Sequence, residues 1–304
     1  MLRVTFLGTA GALPTIERNP SSILINRKGE LIMFDCGEGT QQQMMRGKTG
    51  MMNLTAIFIT HFHADHVLGI PGLLQTMNFQ GRVQPLEIYG PRYAKEFIEL
   101  LSKLGFNDVA FEVKAIELKH GDTLDRGEYW IEAVKTEHSV PSLGYVLREK
   151  PRQGRFNRER AIELGIPPGP LFGKLQRGET INIKGKVIKP EEVIGPPRAG
   201  RIVVYSGDTR PCEAILNASK NADLLIHDGT LTSDMQDWAI ETKHSTAFEA
   251  AEIAKKAGVR QLILTHISSR YSADPTPLLE EARKVFSNSL VARDLLEIEI
   301  PYRD

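Results

Sequence analysis

Cysteine is nearly missing from this chain: there are two in 304 residues, Cys36 and Cys212. Two are too few for a disulfide framework. With no secretory apolar segment after Met1, the expectation is a protein of a reducing, cytoplasmic compartment. Each cysteine reads as a small buried hydrophobe rather than a ligand. No apolar run approaches the roughly 20 residues that cross a bilayer as a helix, so a soluble protein is expected. Net charge is absent as well, with 38 basic residues against 38 acidic. Taken globally, that balance argues against a nucleic-acid partner. Its distribution argues otherwise: from Arg148 to Lys189 eleven Lys or Arg stand against four Asp or Glu, leaving the rest of the chain acidic. Internal repeats and low-complexity tracts are also missing. Gly8-Thr9-Ala10-Gly11 lacks the lysine of a phosphate-cradling loop and reads as a turn.

What the chain does have is the run Thr60-His61-Phe62-His63-Ala64-Asp65-His66, directly behind the apolar segment Ala56-Ile57-Phe58-Ile59. A strand is expected to end there and a loop to begin. Neutral imidazole nitrogen and carboxylate oxygen suit zinc and its neighbours, and a tight turn can aim members of such a run at two adjacent ions. One run cannot complete two coordination shells. Three further ligand-type residues follow short β-prone segments: His138 after Ile131–Val134, Asp208 after Ile202–Gly207, and His266 after Leu262–Thr265. A sheet scaffold delivers a loop-built site in this way.

His61-x-His63-x-Asp65-His66, with the distant His138, Asp208 and His266, resembles the metal signature of the metallo-β-lactamase superfamily. Within it the chain resembles the ribonuclease Z family of tRNA 3′-processing endonucleases. The narrower likeness rests on Phe6–Gly11, Phe34–Gln41, Glu137–Tyr145, Lys243–Thr246 and Thr265–Tyr271. The resemblance implies a four-layer αββα sandwich with two Zn2+ per subunit, Mn2+ or another divalent ion being substitutes. It also implies a homodimer and precursor tRNA as substrate, with no membrane and no nucleotide cofactor. The implied reaction removes the 3′ trailer by hydrolysis, leaving a 3′-hydroxyl on the tRNA and a 5′-phosphate on the trailer.

In that frame His61, His63 and His138 hold one ion and Asp65, His66 and His266 the other, while Asp208 bridges, since a carboxylate has an oxygen for each metal. Asp65 is also assigned the general base. His244, just before a helix, is assigned the proton donor to the leaving oxygen. The family pairs that histidine with a glutamate in a His-Glu-Ala-Thr loop; here the loop reads His227-Asp228-Gly229-Thr230, so Asp228 takes the role with one methylene less reach. Pro14–Asn19 resembles the family's Pro-x-Lys-x-Arg-Asn segment with Ile16 at the lysine position. Arg18 and Asn19 are left as substrate contacts beside Arg270 and Lys174. Asp35, Glu38, His120 and His227 read as structural groups rather than ligands.

Strands are expected at Arg3–Leu7, Ser22–Asn26 and Leu31–Phe34, with a hairpin turn at Lys28-Gly29-Glu30. A helix is expected over Pro91–Leu104, and another over Ser245–Ala257 stopped by Gly258. Residues 148 to 186 break the rhythm of one metallo-β-lactamase-like domain over 1–304. Pro167-Pro168-Gly169-Pro170 argues against compact helix or sheet, so this stretch is read as a flexible, protruding arm whose positive charge grips tRNA. The competing reading is a dimetal hydrolase of small phosphodiesters, sulfate esters or lactones on the same scaffold. An mRNA 3′-end nuclease would need a large extra domain. The redox branch of the fold replaces the second histidine with glutamate, which His63 opposes. A non-catalytic RNA-binding module would have no use for seven ligand-type residues.

Overall fold

The computed structural model describes residues 1–104, 108–183 and 185–303. The chain divides into two compact units, Met1–Arg148 with Arg201–Pro301, and Glu149–Gly200 with Tyr302–Asp304.

In the first unit β1 (Leu2–Gly8), β2 (Ser22–Arg27) and β3 (Glu30–Phe34) run antiparallel in succession. The β2–β3 turn has φ of 53° at Lys28 and 98° at Gly29, the left-handed pair that lets a two-residue hairpin follow the strand twist. Then β4 (Leu54–Phe58), β5 (Leu86–Gly90) and β6 (Val113–Glu117) join in parallel, with helices α1 (Thr40–Arg46), α2 (Ala64–Val67), α3 (Gly69–Phe79) and α4 (Ala94–Ser102) in the crossovers. The second sheet opens with β7 (Thr123–Asp125), β8 (Tyr129–Lys135) and β9 (Leu143–Glu149).

The second unit carries α5 (Arg158–Glu163), α6 (Pro170–Gln176) and the hairpin β10 (Ile181–Ile183) with β11 (Lys186–Ile188). Ala161, Ile166, Leu175, Ile181, Ile188 and Val193 form an apolar cluster of its own, with Phe156 and Phe172 packed against it, ring centroids 4.9 Å apart. This corrects the arm read from the sequence on two points. The unit extends to Gly200 because β11 and Val193 complete its cluster. Pro170, taken as a helix breaker, instead opens α6 from its first turn, where the missing N–H costs nothing.

Back in the first unit follow β12 (Ile202–Tyr205), α7 (Glu213–Ala218), β13 (Leu224–Asp228), α8 (Gln236–Thr242), α9 (Ala247–Ala257), β14 (Leu262–Thr265), α10 (Thr276–Val285) and β15 (Ser289–Val291). The last strand, β16 (Glu297–Glu299), returns to the edge of the first sheet beside β1. The second sheet runs β15-β14-β13-β12-β9-β8-β7, parallel from β12 to β15. Alternation along the strands sorts the core into layers. Val4, Phe6, Phe34 and Phe58 of the first sheet pack against Tyr145, Val203, Tyr205 and Ile226 of the second. Ile57, Ile88, Leu73 and Ile98 fill the space between the first sheet and its helices. Leu225, Leu264, Ala250 and Ala254 do the same for the second. The fold is the αββα sandwich, with each fully buried Leu, Ile, Val or Phe contributing about 1.5–3 kcal/mol.

Helix α9 shows how local sequence sets a boundary near the site. Thr246 accepts from the Glu249 N–H at 3.2 Å while Glu249 accepts from the Thr246 N–H at 3.0 Å, a reciprocal cap that starts the helix at Ala247, three residues after His244. Gly258 ends it at φ 65°.

Candidate metal centre

The histidine run begins where β4 stops. The Thr60 N–H donates to Asp35 Oδ1 at 2.7 Å, and the Cys36 N–H donates to the His66 carbonyl at 2.8 Å, so the loop after β3 straps down the loop after β4. His61 and His66 are fully buried, and His63 caps the start of α2. His138 follows β8, Asp208 follows β12 and His266 follows β14. Tyr205 reaches across the sandwich to donate to Asp35 Oδ2 at 2.8 Å, and Tyr145 donates to the Ile59 carbonyl at 2.7 Å. The two sheets are thereby pinned together beside the ligands.

The ligand-type atoms converge. Asp208 Oδ2 lies 3.6 Å from His61 Nε2, 3.4 Å from His66 Nε2 and 3.2 Å from His266 Nε2. Asp65 Oδ2 lies 3.5 Å from His66 Nε2 and 3.4 Å from His266 Nε2. His63 Nδ1 meets His61 Nε2 at 2.9 Å and His138 Nε2 at 3.3 Å. One cluster is His61, His63, His138 and Asp208; a second is Asp65, His66 and His266; a third joins Asp208 and His266 to Asp228 and His244.

The outward nitrogens settle the tautomers. Thr60 Oγ1 donates to Asp35 and Thr230 Oγ1 donates to Asp228, so each hydroxyl accepts from its histidine, His61 Nδ1 at 3.0 Å and His266 Nδ1 at 2.9 Å. His66 Nδ1 donates to Asp35 at 2.8 Å and His138 Nδ1 to the Lys243 carbonyl at 3.1 Å. Four imidazoles therefore turn Nε2 inward, as metal-ligating histidines do when a second group holds their other nitrogen.

These residues fit a pair of divalent cations. His66 Nε2 and Asp208 Oδ1 are buried with no hydrogen-bond partner, two polar atoms free to face a cation. Burial, with the charge of His66, pushes His61 far below the usual imidazole range, and burial lowers His63 and His138 as well, so all three stand ready as neutral ligands. His66 goes the other way, because Asp208 and Asp35 outweigh burial and hold it well above 6.5. The proton they retain occupies the place a cation would take. Burial would raise Asp208 and Asp65, yet the facing histidines, His266 and His66 foremost, hold both below the ordinary carboxylate range.

Beside the ligands, His244 Nδ1 bonds Asp228 Oδ2 at 2.9 Å, and its ring stacks on His266 at 4.8 Å between centroids. Burial disfavours its charge, but Asp228 outweighs this and raises it to about 9, so His244 carries a proton at neutral pH. Asp228 is fully buried and also accepts from Thr209 and Thr230, which leaves it no freedom to swing away. Arg210 is a positioning group that sequence reasoning missed: its guanidinium pairs with Glu249 and donates to the His244 carbonyl. Its signal was its place two residues after Asp208.

The substrate contacts read from sequence fare differently. Arg18 is buried, and its guanidinium donates to Thr9 Oγ1 at 2.8 Å, the Ala292 carbonyl at 2.6 Å and the Ser272 carbonyl at 3.3 Å. It braces the loop after β1, which corrects its assignment to substrate. Asn19 donates to Asp294 at 2.9 Å and lines an open pocket of about 390 Å³ with Pro14, Glu38, Gly39 and Gln41. Ile16 is fully exposed. Arg270 is exposed and shares a pocket with His244 and His266. Lys174 is exposed on α6 of the second unit. His227 is buried with Nδ1 against the Asp228 carbonyl, and His120 accepts from the Lys135 N–H. Cys36 is buried and Cys212 half-buried; neither joins a ligand cluster among the described residues.

Comparison with known proteins decides the family. The ribonuclease Z of Methanosarcina mazei is 62% identical over 303 residues, covering 100% of this chain and 99% of that one. The chain belongs to the ribonuclease Z family. The ribonuclease Z of Archaeoglobus fulgidus is 48% identical over 99% of both chains. Among solved structures, the short form of human tRNase Z superposes with a TM-score of 0.72 at 29% identity, covering 98% of this chain and 99% of that one. A metallo-β-lactamase fold protein of Bacillus subtilis, at 24% identity and a TM-score of 0.69 over 98% of this chain and 100% of its own, shares the fold. Family models match in two pieces: the anti-Pycsar protein Apyc1 over residues 2–151 and the β-lactamase superfamily domain over 192–267. As a member of the ribonuclease Z family, the chain is a nuclease enzyme on a metallo-β-lactamase fold, and such a fold implies divalent metal. None of the helices among the described residues is long and apolar enough to cross a membrane.

Proposed function

We propose that this protein is a zinc-dependent endoribonuclease that removes the 3′ trailer of precursor tRNA, leaving a 3′-hydroxyl on the tRNA and a 5′-phosphate on the trailer. The observation that carries this reading is the convergence of seven ligand-type side chains in overlapping clusters, among whose atoms His66 Nε2 and Asp208 Oδ1 are buried and lack hydrogen-bond partners. Family membership supplies the substrate class. His61, His63 and His138 would hold one Zn2+ and Asp65, His66 and His266 the second, with Asp208 shared. A nitrogen-rich donor set favours zinc, with Mn2+ as a substitute. The chemistry a pair of such ions supplies is charge against the scissile phosphate and a lowered water pKa.

The chain's own groups move the protons. Asp65, ionised and 3.0 Å from the Ala12 N–H, orients the attacking water and takes its proton as the new P–O bond forms. As the bond from phosphorus to the 3′ oxygen breaks, His244 delivers its proton to that oxygen, and Asp228 stabilises the charged imidazole beforehand. Asp228 is within bonding distance of His244, so the shorter side chain at this position still completes the relay. The basic segment of the second unit, Lys174 included, is assigned to the body of the tRNA, and a cytoplasmic homodimer is the assembly in which it serves. Arg270, exposed beside His244, is assigned a phosphate contact.

The test is metal analysis followed by incubation of the purified protein with a 3′-extended precursor tRNA and with bis(p-nitrophenyl) phosphate. About two zinc ions per chain, a 3′-hydroxyl product end and a specificity constant far higher for the tRNA are expected. Hydrolysis of the small diester with no cut in the precursor would replace this reading with the small-phosphodiester hydrolase.

A further inference from the structure

We propose that the pocket beside His244 seats the nucleoside on the 5′ side of the cut, with Trp238 as the surface on which its base stacks. This deepens the tRNA-trailer reading and rests on it. The pocket has a volume of about 240 Å³ and is lined by Leu13, Thr230, Trp238, Thr242, His244, His266 and Arg270 among others, all in the first unit. It opens directly onto the candidate proton donor and one candidate ligand.

Its walls are held by named contacts. On one side the loop after β1 is tied down, because the Gly11 N–H donates to the Ile267 carbonyl at 2.9 Å and the Ala12 N–H to Asp65. Gly11 leaves no room for a side chain, since a Cβ there would lie 2.7 Å from His266 Nδ1. On the other side α8 presents Trp238 and Thr242, four residues apart and so on one helix face, while Ala239 is buried. The Thr242 hydroxyl donates back to the Trp238 carbonyl at 2.7 Å. Lys243, at φ 62°, then turns the chain so that His244 follows immediately at the pocket.

The composition suits one kind of occupant. Trp238 is 46% exposed and Leu13 62% exposed, a large apolar cost left open to water at the edge of a catalytic site. Thr230, Thr242, Ser268 and Ser269 complete the lining, the first two with hydroxyls already bonded within the protein, and Arg270 adds a cation. An aromatic face and an arginine together match a base and its neighbouring phosphate. The side of the cut follows from the chemistry: His244 protonates the leaving 3′ oxygen, and that oxygen belongs to the nucleotide the tRNA keeps. The pocket lined by His244 therefore holds the retained nucleotide.

The experiment pairs Trp238→Ala and Trp238→Phe with two precursor tRNAs, one natural and one abasic at the nucleotide just 5′ of the cut. Stacking on an aromatic side chain is worth about 1–3 kcal/mol per base, so Trp238→Ala is expected to lower kcat/KM about tenfold on the natural precursor. Trp238→Phe stays within about threefold of wild type by keeping a stacking face. On the abasic precursor the Trp238→Ala deficit shrinks below about twofold, because the partner base is gone. A second readout is independent of turnover. The chain has two tryptophans, Trp130 and Trp238, so in Trp130→Phe protein the fluorescence reports Trp238 alone. The cleaved tRNA product, ending at the nucleotide just 5′ of the cut, is expected to quench it, and the same product abasic at that nucleotide is not. Equal losses on both precursors, no loss on either, or equal quenching by both tRNAs overturns the subsite. So does a change of oligomeric state in Trp238→Ala, which would assign the side chain to a contact between copies. Failure of wild-type protein to cut the natural precursor removes the tRNA reading and the subsite together, whereas cutting with equal losses removes the subsite alone.

Discussion

The two sheets contribute to the candidate metal centre in opposite styles. The first sheet supplies four ligand-type residues from one six-residue run, His61 to His66, on a single loop and its short helix. The second supplies His138, Asp208 and His266 one at a time, each from the end of a different strand. A run carries its geometry with it, because neighbouring backbone torsions fix where its members point. Single residues from separate strands inherit theirs from sheet register, so a one-residue slip would turn any of them to the wrong face. The difference shows in how each half is braced. The run leans on Asp35, Thr60 and the Cys36 N–H, all from adjacent loops of its own sheet. The scattered half leans on Thr230 for His266 and on the Lys243 carbonyl for His138.

The largest expected break comes from Asp208→Ala against Asp65→Ala. Asp208 faces histidines of both clusters, so its loss should empty both sites, and plasma emission spectrometry should find less than about 0.2 zinc per chain. Asp65→Ala removes a terminal ligand and the base, keeping about one ion while losing nearly all hydrolysis. Retention of two ions in Asp208→Ala would deny the shared carboxylate. Near-wild-type turnover in a metal-loaded Asp65→Ala protein would sink the general-base assignment.

Next in size is His244→Ala, which acts on the leaving oxygen and not on the ions. General acid catalysis contributes typically about 10²–10⁴-fold, so kcat on precursor tRNA should fall by that much. With bis(p-nitrophenyl) phosphate, whose leaving group needs no proton, the loss should stay under about tenfold. Equal losses on the two substrates would make His244 a packing residue rather than an acid.

The smallest effect sharpens how the halves are joined. Tyr205→Phe removes the bond to Asp35, which orients His66, while keeping the ring stacked at 5.7 Å from Phe34. Losing such an outer contact typically weakens metal affinity about 10- to 100-fold, so chelator competition should show about a tenfold drop. Tyr145→Phe, whose hydroxyl bonds the Ile59 carbonyl and no ligand holder, should show none. Matching drops in both variants would assign the effect to general loosening between the sheets.

How much of this was legible beforehand follows the same division. The run stood out because its ligand-type residues are neighbours in sequence, and His138, Asp208 and His266 because each follows a β-prone segment. The hairpin at Lys28-Gly29 and the end of α9 at Gly258 were readable from turn chemistry alone. Arg18 was misread because a motif specifies a residue type and not its burial; its guanidinium donates to three internal acceptors. Pro170 was misread because its effect depends on position in a helix, harmless at the first turn and disruptive later. Asp35 could be placed near the site but not given its three partners, which come from β12, the loop after β4 and α2. Trp238 carries no local signal, since a tryptophan on a short helix reads as core until its exposure is known.

The bond from Tyr205 to Asp35 also bears on when the protein can acquire its metal during synthesis. The histidine run leaves the ribosome early, but His266 belongs to the last parallel strands of the second sheet. A nascent chain exposing His61 to His66 alone offers an incomplete shell, open to any soft cation nearby. A divalent metal held with the full set of donors must therefore arrive after most of the chain is made and the sheets have docked. Metal loading then reports completed folding, and a chain stalled before β14 stays catalytically silent.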